Sequence, residues 1–219
     1  MSALIMRSGD IRAAADIAFD AMIPALNRDW SVRAGDLDWS CRRTLDHIID
    51  TLVLYAFAVA LPVMSREEWI PPRNGDPDAT VSDLLEVLRR QAGVLEAACD
   101  ASLPPARAFH PSGLSDADGF RAMACSEVLT HADDILMGFG LSRAFEPPAY
   151  LCDRIVRRVF PWAPEADACP NRLHAVKWAC GRMALPDHPR LDDRWWWHSA
   201  PIEEWDGSRN ERNAPPAWS

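Results

Sequence analysis

The 219-residue chain has no run of basic residues, no Cys-x-x-Cys, no alternating strand pattern, no internal repeat and no unbroken apolar stretch of membrane-spanning length. Each absence closes a class of function. Nucleic-acid binding needs a basic stripe, but here the Arg pairs at 42–43, 89–90 and 157–158 are isolated and the formal net charge is −9. The most apolar run, IIDTLVLYAFAVALPVM, is interrupted by Asp50 and opens beside His47, so it reads as a buried helix rather than a membrane span. The N-terminal MSALIMRSGD lacks the long apolar core and small-residue cleavage site of a secretory leader. A cytoplasmic chain is therefore expected, and its six widely spaced cysteines are expected to be free thiols.

What is there is mainly helical. Hydrophobic residues make up 48% of the chain, enough for a substantial core. Apolar residues recur at helical spacing over 10–27, and a long helix is expected from Ser40, as N-cap, to Leu61, closed by Pro62. Residues 65–79 carry PP, NG and DPD and read as a loop. TVSD at 80–83 has the form of a capping box that opens a helix to about Ser102. A second loop, PPARAFHPSGLSDADG, leads into a fourth long helix. Shorter helices are expected near 148–160 and 171–184, separated by a Pro-rich turn at 161–170. From Pro186 the chain is dense in Trp, Pro and charge, and reads as irregular chain laid over the helices with its indoles as anchors. Disorder is expected from about Gly207. The fold class is all-α: an antiparallel four-helix bundle over 1–145, with additional C-terminal helices and an irregular Trp-rich tail over 146–219.

The fourth helix holds the sequence's main anomaly. In CSEVLTHADDIL (125–136), Glu127 and His131 are four apart and Asp134 follows three later, so all three share a face. Phe120, Ala124 and Ile135 fall on the same stripe, which should face a core. A carboxylate buried there needs a partner. Two readings satisfy it: a buried His–Glu pair, or a metal ion. A third ligand would have to come from another apolar helix, and His47 meets that condition, with Ile48, Thr51 and Tyr55 on its stripe. Cys125 lies across the helix from Glu127 and is set aside.

WSCRRTLDHII (39–49) resembles the start of the metal-binding DinB-like superfamily, and in particular the mycothiol-dependent maleylpyruvate isomerase N-terminal family. HPSGLSDADGFRAMACSEVLTHADDILMGFGL (110–141) resembles that family's second signature, and WACGRMALPDHPR (178–190) a further segment common in its actinobacterial members. The resemblance implies metal ligands at His47, Glu127 and His131, with Asp134 orienting a ligand imidazole. Two imidazoles and a carboxylate suit Zn²⁺, and also Ni²⁺ or Fe²⁺. It further implies mycothiol as cosubstrate, a metal-activated thiolate as nucleophile, and transfer or isomerisation of an electrophilic substrate. The chain after the bundle is too short for the isomerase's separate second domain, so the expectation is thiol-utilising chemistry rather than that isomerisation. A metal-dependent hydrolase and a non-catalytic metal-binding or stress-response protein are the rival readings. Arg182 is a candidate for holding a substrate carboxylate or cofactor, against a plain helix-terminal role. His110 is a candidate acid–base group against an ordinary surface-loop histidine, and Trp39 a candidate pocket wall or helix staple. The expected partners are small molecules and, as an admissible assembly, a homodimer, without nucleic acid or membrane.

Overall fold

Ser40 starts the helix that matters most. Its Oγ accepts the Arg43 amide at 3.1 Å, satisfying one of the donors left open at a helix N-terminus. The computed structural model describes residues 5–62, 64–66 and 77–211. Among them are six α-helices and one two-stranded hairpin: α1 (Asp10–Met22), α2 (Cys41–Ala60), α3 (Val81–Ala101), β1 (Ala108–His110), β2 (Gly113–Ser115), α4 (Ala117–Gly138), α5 (Ala149–Val159) and α6 (Arg172–Ala179). Thr80 and Asp83 form the expected capping box at the start of α3, each side chain accepting the other's backbone N–H at 3.1 Å. Of the expected loop at 65–79, residues 67–76 lie outside the described residues, as do 212–219 of the segment expected to be disordered. No described helix is long and apolar enough to cross a membrane.

Three expectations are corrected. The first helix stops at Met22 instead of Asn27 because Pro24 has no N–H to continue the ladder, and the chain tightens into a 3-10 turn, Ile23–Ala25. The segment before α4 is not plain loop: β1 and β2 pair antiparallel, with Ala108 opposite Ser115 and His110 opposite Gly113. Three-residue strands are too short to show alternation. The helix expected to reach residue 184 ends at Ala179. Gly181 adopts φ +68°, its N–H returns to Trp178 O at 2.9 Å, and the Arg182 N–H returns to Lys177 O at 2.9 Å. A Cβ on Gly181 would stand 1.9 Å from Asp192 O, so glycine is required there twice over.

Helix α4 is the organising element. α1, α2, α3, α5 and α6 all pack on it, and every residue from Asp118 to Leu136 is buried. The single core-facing stripe expected from the sequence is therefore too narrow. Its polar residues on other faces are buried as well, and each has a partner. Arg121 binds Glu96 at 2.7 Å, Thr130 Oγ1 donates to Ser126 O at 2.6 Å, and Asp133 Oδ1 accepts the Ser142 hydroxyl at 2.6 Å. The six cysteines are free and buried. Burial pushes Cys41 up to about 11 and Cys99, Cys152 and Cys180 up to about 12, so these four remain thiols at neutral pH.

The tail past Pro186 is irregular but well attached. His198 N–H donates to Val159 O at 2.9 Å, and the Trp178 indole donates to Pro189 O at 3.0 Å. Trp197 is buried, with its ring 5.2 Å from that of His110 and 5.1 Å from that of Trp195. The indoles thus anchor the tail against the hairpin and one another.

Candidate metal centre

The start of α2 meets the end of α4 at close range. A Cβ on Gly138 would lie 2.4 Å from Arg33 O and 2.8 Å from Cys41 Sγ, so only glycine admits this approach. Cys41 Sγ also reaches Ile135 O at 3.6 Å. This crossing sets His47, nearly two turns into α2, opposite Glu127 and His131 on α4.

The three residues converge through their outer atoms. Glu127 Oε2 lies 3.3 Å from His47 Nε2 and 3.2 Å from His131 Nε2. One donor atom from each residue falls within 4.8 Å of the others, and the imidazole rings stand edge to face at 5.0 Å between centroids. Despite those distances, Oε2 has no partner of hydrogen-bonding geometry and is buried. An ionised oxygen enclosed without a donor carries a heavy desolvation cost. Ligands about 2.0–2.1 Å from a tetrahedral Zn²⁺ stand about 3.3–3.4 Å from each other. The observed 3.2 and 3.3 Å separations match that edge. The residues present fit a divalent cation.

The surroundings of His131 reinforce the fit. Its Nδ1 lies 3.0 Å from Asp134 Oδ2. Arg182 binds the same carboxylate through Nε at 3.2 and 3.0 Å and through Nη2 at 2.9 Å. Arg182 Nη2 is also 3.3 Å from His131 Nδ1, but the carboxylate is the nearer neighbour. We therefore assign the Nδ1 proton to the bond with Asp134, which leaves the Nε2 lone pair facing Glu127. Burial raises the Asp134 carboxyl, yet the Arg182 charge and the His131 bond outweigh it and hold the pKa down at about 2. His47 is shifted down, by burial first and then by the nearby Arg43 charge.

His47 is the most open of the three side chains, 20% exposed against 11% for Glu127 and 8% for His131, so access is from the α2 side. Trp39 stands at that opening, its ring 4.9 Å from His47 and 6.5 Å from His131. Of its two expected roles, pocket wall or helix staple, these distances establish only that Trp39 lies beside the convergent group. Arg182 lies instead behind His131 with its fork engaged by Asp134, so it braces the His131–Asp134 pair and does not present a free fork to a substrate. His110 is corrected: it is not a surface-loop residue but a buried one in β1, with Nε2 3.3 Å from the Tyr55 hydroxyl and Nδ1 2.6 Å from Ser112 Oγ. It lies outside the convergent group. Arg43 and Asp50, one turn either side of His47 on α2, have no site role in the sequence reading, although i−4 and i+3 spacing places them on the His47 face. Comparisons with protein-family models, with curated proteins and with solved structures gave no match.

If Asp134 sets the tautomer of a ligand, Asp134→Asn should weaken divalent-metal binding by about 10–100-fold with the three ligands untouched. Equilibrium dialysis measures this. An unchanged affinity would make the Asp134–Arg182 pair purely structural.

Proposed function

We propose that this chain is a DinB-like, metal-dependent enzyme of the cytoplasm in which His47, Glu127 and His131 hold one divalent cation, best matched by Zn²⁺, and a low-molecular-weight thiol of the mycothiol type attacks an electrophilic substrate. In this reading α1–α4 form the four-helix bundle. One observation carries it: a buried Glu127 oxygen that faces two imidazole nitrogens at coordination-edge distances and has no hydrogen-bond donor. A divalent cation there supplies Lewis acidity that lowers the pKa of a thiol or water brought to it. The chain's own residues do the rest. Glu127 contributes the negative charge that offsets the cation, Asp134 and Arg182 keep the His131 ring in its ligating orientation, and Trp39 shields one flank from water. The sequence resemblance is what favours thiol over water.

A hydrolase reading draws on one further residue. Asp50, one turn beyond His47, is pushed up to about 6, by burial against the opposing pull of Arg43, which suits a carboxyl for proton transfer near neutral pH. Substituting Co²⁺ decides between the two. Mycothiol added to the cobalt form should produce a sulfur-to-metal absorption in the near ultraviolet, because sulfur is the softer ligand, and thiol should be consumed when a simple electrophile is added. A cobalt spectrum indifferent to saturating mycothiol, together with turnover of a hydrolysable ester, would replace the thiol reading with the hydrolase.

A further inference from the structure

The open flank of the metal centre contains a cation that the ligand set does not explain. Arg43 precedes His47 by one helical turn, so both side chains leave α2 on the same face. Its guanidinium carbon sits 4.6 Å from the centre of the Trp39 ring. That same indole is 4.9 Å from His47 and 6.5 Å from His131, so one aromatic surface joins the guanidinium to two ligand rings.

Nearby arginines have definite tasks. Arg42 donates Nη1 to Ala79 O at 2.9 Å and Nε to Asp46 at 3.4 Å. Arg182 is held by Asp134. Arg43 differs, since its Nη1 is enclosed and has no acceptor. A guanidinium that serves only to stack on an indole can leave its edge nitrogens in water. This one is dry. A buried charged donor without an acceptor is costly, and an entering oxygen would relieve it.

We infer that Arg43, braced on Trp39, is the specificity-determining residue of this site and receives the carboxylate of a small molecule whose reacting end lies at His47, Glu127 and His131. A guanidinium fork matches a carboxylate in two-point geometry, and its planarity allows it to stay stacked while bound. The inference rests on the proposed metal reading and adds the substrate class: a thiol or electrophile that carries a carboxylate. It also moves that role from Arg182, whose fork is engaged, to Arg43.

The test uses the full chain loaded with Co²⁺ and two probes that differ in one group, mercaptoacetate and its neutral amide, mercaptoacetamide. Titrations followed by cobalt absorption should show the acid binding about tenfold or more tightly than the amide, as a hydrogen bond to a charged group implies. Arg43→Met should bring the two affinities to within about twofold, and Arg43→Lys should keep part of the preference because it retains the charge without the fork. The helix cap uses only the Arg43 backbone, so neither variant removes it. A wild type without preference, or an Arg43→Met variant that keeps it, overturns the inference and leaves the metal reading intact. Wild type that takes up no metal overturns both. If metal loads but neither thiol alters the spectrum, the thiol reading falls, and calorimetry with acetate and acetamide judges Arg43 by the same criterion.

Discussion

Zn²⁺ added to metal-free protein should raise its melting temperature by about 10 °C, and His131→Ala should abolish the rise. The magnitude follows from linkage: an ion at about a thousand times its dissociation constant stabilises the folded state by about 4 kcal/mol if the unfolded chain does not bind it. In a chain of this size each kcal/mol corresponds to about 2–4 °C. Elemental analysis should find about one ion per wild-type chain, because one group of convergent donors is present among the described residues. His131→Ala removes one donor of three and leaves Asp134 paired with Arg182, so the variant should still fold. The competing account is a buried ion cluster of His47, Glu127 and His131 with no metal. It predicts no response to Zn²⁺ and a clear loss of stability in His131→Ala, since Glu127 would then be more poorly neutralised. Flat melting curves across a zinc titration, with no metal in the purified or reconstituted chain, would sink the metal centre.

The parts of the site that follow from local rules were legible in the sequence. Glu127 and His131 are one turn apart within the 22-residue helix α4, and helical geometry alone puts them on one face. Ser40 and the Thr80–Asp83 box act within four residues, so the helix starts could be read directly. His47 was found from its apolar setting, because a polar residue deep in a buried stripe needs an explanation. What was not legible depends on contacts remote in sequence. Nothing near Arg182 says that Gly181 will turn the chain so that the guanidinium meets Asp134, 48 residues earlier. Nothing near His110 says that Tyr55 and the tail's Trp197 will enclose it. The all-round burial of α4 escaped for a related reason. Its buried polar residues find their partners on other elements, Glu96 on α3 and Lys177 on α6, and polar residues spread around a helix give no local sign that every face is covered.

The largest stability loss should come from a residue far from the ligands. Arg158 on α5 is 1% exposed, as deeply buried as Glu96 and Asp133 and more so than any other charged residue among those described. Its Nη2 donates to Asp116, the N-cap of α4, at 2.6 Å, and its Nε lies 3.2 Å from Asp118. Nη1 reaches His198 O at 3.3 Å and Nη2 reaches Ser199 O at 3.2 Å. Asp118 in turn accepts the Met6 amide at 3.0 Å. One guanidinium thus joins the N-terminal segment, the start of α4, α5 and the tail. Gly119 makes room for it, since a Cβ there would stand 2.6 Å from Arg158 Nη2 and 2.1 Å from Ser115 Oγ. Arg158→Met keeps most of the apolar volume but leaves Asp118 buried without its cation, and losing one partner of a buried pair costs about 3–5 kcal/mol. Burial already pushes the Asp118 carboxyl up against the opposing pull of Arg158, so without Arg158 the acid should take up a proton more readily. Adding Asp118→Asn should therefore recover part of the loss. Urea unfolding measures the stability, and limited proteolysis reads the tail, where cleavage between 186 and 205 should become fast once the His198 and Ser199 carbonyls lose their donor. Arg158 makes no hydrogen bond or ion pair with His47, Glu127 or His131, so on the metal reading the folded fraction should still bind Zn²⁺. A variant within about 1 kcal/mol of wild type, the ordinary range for a point substitution, with its tail still protected, would show that packing of Trp195 and Trp197 alone holds the tail in place.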